Sequence, residues 1–123
     1  MLLNIEKTRE YYSHLTNDDL CQCDYCKNYI KEVKAAYPEA ARYLDSIGID
    51  IEKPFETMPS DPDDKGMIEY FAVQYIIIGS SEGFQPQLVG GIEIEIAIHH
   101  PSSNISDEHF VIEIYNILLK WTI

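Results

Sequence analysis

The chain has 123 residues, of which 46% are hydrophobic, and its 21 acidic and 9 basic side chains give a formal net charge of −12. This length suits one domain, and the apolar fraction excludes a disordered chain. No apolar run approaches the ~20 residues of a transmembrane helix, and acid and polar groups appear too early for a secretory signal. We therefore expect a single domain over residues 1–123 in the cytoplasm, without membrane association.

The negative charge is unevenly distributed along the chain. Residues 1–48 hold eight acids and six bases, a net of −2, whereas residues 49–123 hold thirteen acids and three bases, a net of −10. Such a field repels nucleic acid and attracts cations or basic proteins. A solvated surface is the simpler explanation. We expect no nucleic-acid partner, and a basic protein is the macromolecular partner that this charge fits.

The first 48 residues have a helical pattern. Residues 1–15 predict a short helix, and Thr16 with Asp19 forms a potential capping box for a second one. Apolar side chains then recur at three- and four-residue steps, which places them on one side of a helix. That stripe consists of Leu20, Cys23, Cys26, Ile30, Val33 and Tyr37. Pro38 ends this helix and begins a third, which Gly48 closes.

From residue 49 the pattern is that of strands. Ile49 and Ile51 predict a short strand, which Pro54 and Pro59 restrict to an edge or a loop. Three long strands are predicted at residues 67–78, 91–100 and 110–121. In the middle one, isoleucines at every second position from 92 to 98 predict one buried face. A C-terminal helix is the alternative for the last segment, and its β-branched residues disfavour it.

The order and spacing of these elements predict the fold class. Loops of about ten residues between the long strands favour an antiparallel meander. We therefore predict an α+β fold, in which a helical part, residues 1–48, packs on one face of a mainly antiparallel sheet of three or more strands, residues 49–123. The other face of the sheet is expected to be partly solvated.

Three cysteines lie within six residues, in the run Cys21-Gln22-Cys23-Asp24-Tyr25-Cys26. Zinc takes four ligands in a tetrahedron, so three thiolates and one histidine can complete a site. We assign Cys21, Cys23, Cys26 and His14 as the candidate ligands. The other histidines that can serve are His99, His100 and His109. The alternatives are reduced thiols packed on the helix stripe and a redox dithiol.

The metal-site hypothesis depends on where the second helix begins. In an unbroken helix Cys21 lies about 200° from Cys23, because each residue turns about 100°. Ligation by all three sulfurs therefore requires a later start. Asp24 can serve as the N-cap, which leaves Cys21 and Cys23 in a loop and Cys26 in the first turn. Both arrangements fit the sequence.

A histidine-rich loop is the second candidate for chemistry. His99 and His100 precede it and His109 follows it, and with Ser102 or Ser103 they contain the residue types of a nucleophile and its base. Residue types without geometry are weak evidence for a site. A polar loop that closes a hairpin is the simpler explanation.

Glutamates on the outward positions of the predicted strands form the third candidate. They are Glu69, Glu93, Glu95 and Glu113. If the strands are neighbours, these carboxylates share one face. Such a face either prevents aggregation or holds a cationic partner.

Three segments carry a resemblance to known proteins. They are Leu20–Tyr29, which contains the cysteine run, Tyr43–Pro59, which ends in Pro-Phe-Glu-Thr-Met-Pro, and His109–Trp121. In these segments the chain resembles a group of small uncharacterised bacterial proteins from Gram-positive anaerobes. The resemblance implies an intact natural single domain, and it carries over no activity and no site residue.

Three functions remain in competition. The leading hypothesis is a non-enzymatic binding module whose acidic sheet face holds a basic protein. The first alternative is a small domain stabilised by zinc at Cys21, Cys23 and Cys26. The second alternative is an enzyme with its site at the histidine-rich loop.

Overall fold

The computed structural model describes residues 2–123, in which three α-helices precede a five-stranded sheet. The helices are α1 (Ile5–His14), α2 (Asp24–Ala36) and α3 (Pro38–Ser46). The strands are β1 (Glu56–Pro59), β2 (Met67–Ile78), β3 (Gln87–Val89), β4 (Ile92–Ile96) and β5 (His109–Lys120). The predicted α+β class, with helices before an antiparallel sheet, is confirmed.

The strands lie in the order β1-β2-β5-β4-β3, and every neighbouring pair is antiparallel. The predicted meander is wrong, because β5 pairs between β2 and β4 instead of continuing beyond β4. The two 12-residue strands β2 and β5 pair from Met67 opposite Lys120 to Ile78 opposite His109. Pairing the two longest apolar strands at the centre of the sheet leaves only short strands at its edges.

The helices and the sheet share one hydrophobic core. Helix α1 packs against β2, α2 against β5, and α3 against α2 and β3. The largest fully buried side chains at this interface include Tyr29, Tyr70 and Tyr75. A smaller apolar cluster contains Ile76, Ile78, Ala97 and Val111, and Phe55 and Ile105 pack against it.

Both central strands change phase at the same level of the sheet. The core residues of β2 occupy positions 68 and 70 and then 73, 75 and 77, while those of β5 occupy 112 and 114 and then 117 and 119. Phe71 and Asn116 lie at the two breaks, and Asn116 has a φ of 61°. Asparagine tolerates this left-handed conformation because its short polar side chain can bond locally. Against β1 the same level is an irregularity of register.

Two helix boundaries differ from those that the sequence pattern predicted. The backbone N–H of Thr16 donates to the Asp19 carboxylate, yet this box caps only a single 3-10 turn, Asn17–Asp19. Helix α2 begins at Asp24, so the apolar stripe that starts at Leu20 extends beyond the helix. Pro38 and the left-handed Gly48 (φ 93°) begin and close α3 as predicted.

Three strand predictions also need correction. Ile49 and Ile51 are buried but belong to no strand. Strand β4 ends at Ile96, and Ile98 is 85% exposed, because the chain there turns away from the sheet. Residues 79–91, predicted as loop, contain the short strand β3. The last segment is the strand β5, and the C-terminal helix is excluded.

Candidate metal centre

The cysteine run is placed by the start of helix α2. Cys23 is the N-cap, with an extended backbone (φ −70°, ψ 162°), and its Sγ accepts the backbone N–H of Cys26 at 3.5 Å. Cys21 lies in the loop before the helix and Cys26 in the first turn. The later helix start is therefore correct, with the cap at Cys23 and not at Asp24.

The three sulfur atoms form one cluster. All three Sγ atoms lie within 4.8 Å of one another, and those of Cys21 and Cys23 are 3.2 Å apart. The Cys26 Sγ also lies 3.3 Å from the Oγ1 of Thr57 on β1. Cys21 and Cys23 are exposed and Cys26 is buried, and none forms a disulfide. Three thiolates at these distances can hold a single metal ion.

The cysteines differ in how readily each loses its proton. Hydrogen bonds from the backbone and side chain of Cys23 lower the pKa of Cys21. Burial raises the pKa of Cys26 to about 12, and the hydrogen bond with Thr57 opposes that change. The protein alone therefore makes the Cys21 thiol easier to deprotonate and the Cys26 thiol harder to deprotonate. A bound cation favours three thiolates, so binding releases protons and strengthens as pH rises.

Glu56 lies in a cleft beside the cysteine cluster and is a further candidate for the fourth ligand. Cys21 and Cys26 line a small cleft together with Glu56 and Thr57 of β1. The group of ligand atoms within 4.8 Å of one another contains only the three sulfurs among residues 2–123, so both Glu56 and His14, at the end of α1, are outside it. His14 as the fourth ligand stays a prediction. Glu56 was not predicted from the sequence, because it comes near the cysteines only through the position of β1 at the sheet edge.

The histidine-rich loop is held by local hydrogen bonds. The Nε2 of His109 lies 2.7 Å from the Oγ of Ser103, and its Nδ1 lies 2.8 Å from the backbone oxygen of Asp107. The exposed His100 contacts the Pro101 oxygen, and His99 uses its backbone oxygen to accept from Gln74. A nucleophilic site also needs an oxyanion hole and a substrate cavity. The enzyme hypothesis therefore stays a prediction.

The acidic sheet face consists of Glu69, Glu93, Glu95 and Glu113. These residues alternate with core residues of their strands, and Glu95 lies directly opposite Glu113. The Glu113 carboxylate accepts hydrogen bonds from Gln74 Nε2 at 3.0 Å and from the Tyr115 hydroxyl. Burial, followed by the hydrogen bond to Glu113 and the charges of Glu113, Glu95 and Glu93, raises the pKa of Tyr115. Like charges on opposite strands are unfavourable unless a cation compensates them.

Known proteins add nothing to this geometry. No protein family, curated protein or solved structure matches the chain. Within residues 2–123, no helix is both long and apolar enough to cross a bilayer. The resemblance to small bacterial proteins stays a prediction.

Proposed function

We propose that the protein binds one zinc ion through Cys21, Cys23 and Cys26, and that this ion stabilises the start of helix α2. The observation that carries the proposal is the convergence of three sulfur atoms within 4.8 Å of one another. Zinc–sulfur bonds of about 2.3 Å in a tetrahedron separate the sulfurs by roughly 3.8 Å, a spacing that small side-chain rotations here can reach.

The ligand set favours zinc over the hard cations. Thiolates suit zinc and other soft or borderline metals, whereas calcium and magnesium require oxygen ligands. The fourth position is taken by the Glu56 carboxylate or by water. Through Cys26 and its neighbour Thr57, the ion links the loop before α2 to the edge strand β1. The role that follows is structural.

Elemental analysis of protein purified without a His-tag or chelator tests this proposal. We expect about one zinc per chain, and Cys23→Ser should lower that content and the melting temperature. At zinc concentrations a hundredfold above Kd, binding stabilises by about 2.7 kcal/mol. Metal-free protein with three titratable thiols and a melting temperature unaffected by chelator contradicts the proposal.

The fourth ligand is tested separately. Glu56→Gln should weaken zinc binding if the carboxylate coordinates, and Glu52→Gln, a nearby change of the same charge outside the cleft, is the matched control. His14→Gln tests the ligand predicted from sequence. If only His14→Gln weakens binding, the loop before α2 must move toward α1 when the ion binds.

A second candidate function is binding of a basic protein by the acidic sheet face. The observation that favours it is the pairing of Glu95 with Glu113, in a chain whose net charge is −12. Clustered like charges destabilise the free protein, and a cationic partner relieves that cost while steering association.

A lysine-rich peptide serves as the probe for this second function. We expect salt-sensitive binding that Glu93→Lys with Glu95→Lys weakens at least about tenfold, since each charge-assisted contact contributes about 1.5–3 kcal/mol. Glu82→Lys with Glu108→Lys makes the same charge change at exposed positions outside this face. Equal weakening by both pairs means that the peptide responds to net charge alone, which contradicts a defined acidic site.

A further inference from the structure

A cavity of about 560 Å³ opens between the helices and the loop that follows α3. Its size is within the range of small-ligand sites in proteins. Its charged lining residues are Arg9, Lys34, Arg42, Asp45, Asp50 and Lys53. The cavity is separate from the cysteine cluster, since the two have no lining residue in common.

The charge of this cavity is opposite to that of the protein. Four of the nine basic residues in the chain line it, together with two of the 21 acids. Its charged side chains therefore sum to +2, which leaves −14 for the rest of the molecule. Bases drawn from α1, α2, α3 and the following loop converge there. An acidic protein that gathers its cations around one cavity has a local field suited to an anion.

Two of the four cations are held by the backbone. Arg9 Nη2 donates to the backbone oxygen of Asp45 at 2.9 Å, and its Nη1 lies 3.4 Å from the Asp45 carboxylate. Lys53 Nζ donates to the carbonyls of Tyr12 and Leu15 at 2.8 and 3.0 Å. An ammonium has three N–H groups, so Lys53 keeps one donor for a ligand.

The other two cations carry no such contact. The side chains of Lys34 and Arg42 form neither a hydrogen bond nor an ion pair with any part of residues 2–123. Gly48 brings the end of α3 against α1, where an added Cβ would lie only 2.7 Å from the Ile5 oxygen. This close approach helps to bring Arg9 and Arg42 to one opening.

Apart from Ser13, the uncharged lining of the cavity is largely apolar. Tyr12, Ala41, Ile49 and Ile51 contribute nearly buried side chains to its base, and Pro38 adds a further apolar wall. Inorganic ions gain little from such surfaces. An organic molecule gains from both parts, because its acid group meets the cations and its apolar body covers the base.

We propose that this cavity binds a small organic oxyanion, which carries a phosphate or carboxylate group on an apolar body. Arg42 and Lys34 supply the free charges, Arg9 and Lys53 the fixed ones. This site is independent of the metal centre and of the acidic sheet face.

Titration of the isotopically labelled protein tests the proposal. The probes are phenyl phosphate, phenylacetate and inorganic phosphate, with backbone amide shifts at Gly48, Ile49 and Ile51 as the readout. We expect saturable shifts with at least one aromatic probe, and the preferred probe identifies the acid group. Inorganic phosphate should bind more weakly than the better aromatic probe.

A matched pair of double variants gives the decisive comparison. Lys34→Gln with Arg42→Gln should weaken the aromatic probe about tenfold or more, because both free charge-assisted hydrogen-bond donors to the acid group are lost. Lys27→Gln with Lys65→Gln removes the same charge outside the cavity and should change affinity less than about twofold. All four positions are exposed, so folding should be preserved. No saturable shifts, equal effects of the two variants, or inorganic phosphate binding as tightly as both aromatic probes each overturn the proposal.

Discussion

Among the side chains that join helix α2 to the sheet are two contrasting groups, one built from tyrosine and one from cysteine. One turn into the helix, the Tyr29 hydroxyl lies 2.5 Å from the Tyr75 hydroxyl, which donates to the Ile51 oxygen at 2.7 Å. At its start, the Cys26 thiol contacts Thr57 of β1 at 3.3 Å. The tyrosine group is fully buried, whereas two of the three clustered cysteines are exposed.

The two groups differ in what they need from outside. The tyrosine hydroxyls satisfy one another and a backbone carbonyl, so this group is complete within the chain. The cysteine group gathers three sulfurs, and no cation stands beside them to favour their thiolate forms. Perturbations that act on protein hydrogen bonds should therefore break the first group, and removal of metal should affect only the second.

Alkaline pH should produce the largest effect. Burial raises the pKa of Tyr12, Tyr29 and Tyr75 above the ordinary value of 10.0, so folding favours their neutral forms. The stability they contribute is present below pH 10 and is lost as pH rises, by about 1.4 kcal/mol per group and pH unit. Tyrosinate absorbance and circular dichroism should change together in one transition. Early tyrosinate formation in a folded protein contradicts this prediction.

Tyr75→Phe should have the next largest effect. It leaves the Ile51 oxygen and the Tyr29 hydroxyl buried without their partner, and should lower the free energy of unfolding by about 1–3 kcal/mol. The loss should be the same with and without metal, as measured by chemical denaturation. Tyr11→Phe is the control, since the residue is partly exposed and its hydroxyl has no hydrogen-bond partner within residues 2–123. A loss of stability that appears only in metal-free protein would mean that the tyrosine and cysteine groups are coupled.

Chelation should act locally. Removing zinc should accelerate amide hydrogen exchange in residues 20–23 and at Cys26, because the loop and the first turn lose their common ligand. Amides around Tyr29 and Val33 should lose less protection, since the core holds that part of α2 and only the fall in global stability reaches them. Uniform acceleration along the whole helix would contradict the separation of the two groups.

Thr57→Val should have the smallest effect on stability. It preserves the shape of the side chain and removes the hydroxyl beside Cys26, which should cost less than about 1 kcal/mol in metal-free protein because sulfur hydrogen bonds are weak. Zinc affinity should fall by roughly tenfold, as for other groups that support a ligand. Calorimetric titration measures both. An affinity loss as large as that of Cys26→Ser would make Thr57 a ligand itself.

The sequence predicted those elements whose boundaries depend on local chemistry. Pro38 and Gly48 determined both ends of α3. The run of β-branched residues predicted a strand at residues 67–78, which are the bounds of β2. The start of α2 was ambiguous because apolar spacing continues across Leu20, where the backbone is not helical. The predicted strand order was wrong because β2 pairs with β5, which is distant in the sequence. Hydrophobic periodicity does not show which strands pair.

The candidate sites, like the fold, were predictable only where the residues involved lie close together in the sequence. The three cysteines lie within six residues of the sequence. Their sulfur atoms can converge because α2 begins only at Asp24. Glu56 and Thr57 could not be found, because they reach the cysteines through the position of β1 at the sheet edge. The cations at positions 9, 34, 42 and 53 look unrelated in sequence, and only the packing of three helices and a loop brings them to one cavity.

The paired breaks at Phe71 and Asn116 determine which changes of chain length the sheet can accept. Deleting either residue alone restores regular alternation in one central strand while its partner keeps the extra residue, so the side chains on one side of the break lose their opposite neighbours. Deleting both leaves Tyr70 opposite Ile117 and Ala72 opposite Tyr115, as before. Natural relatives of this protein should therefore gain or lose these two positions together.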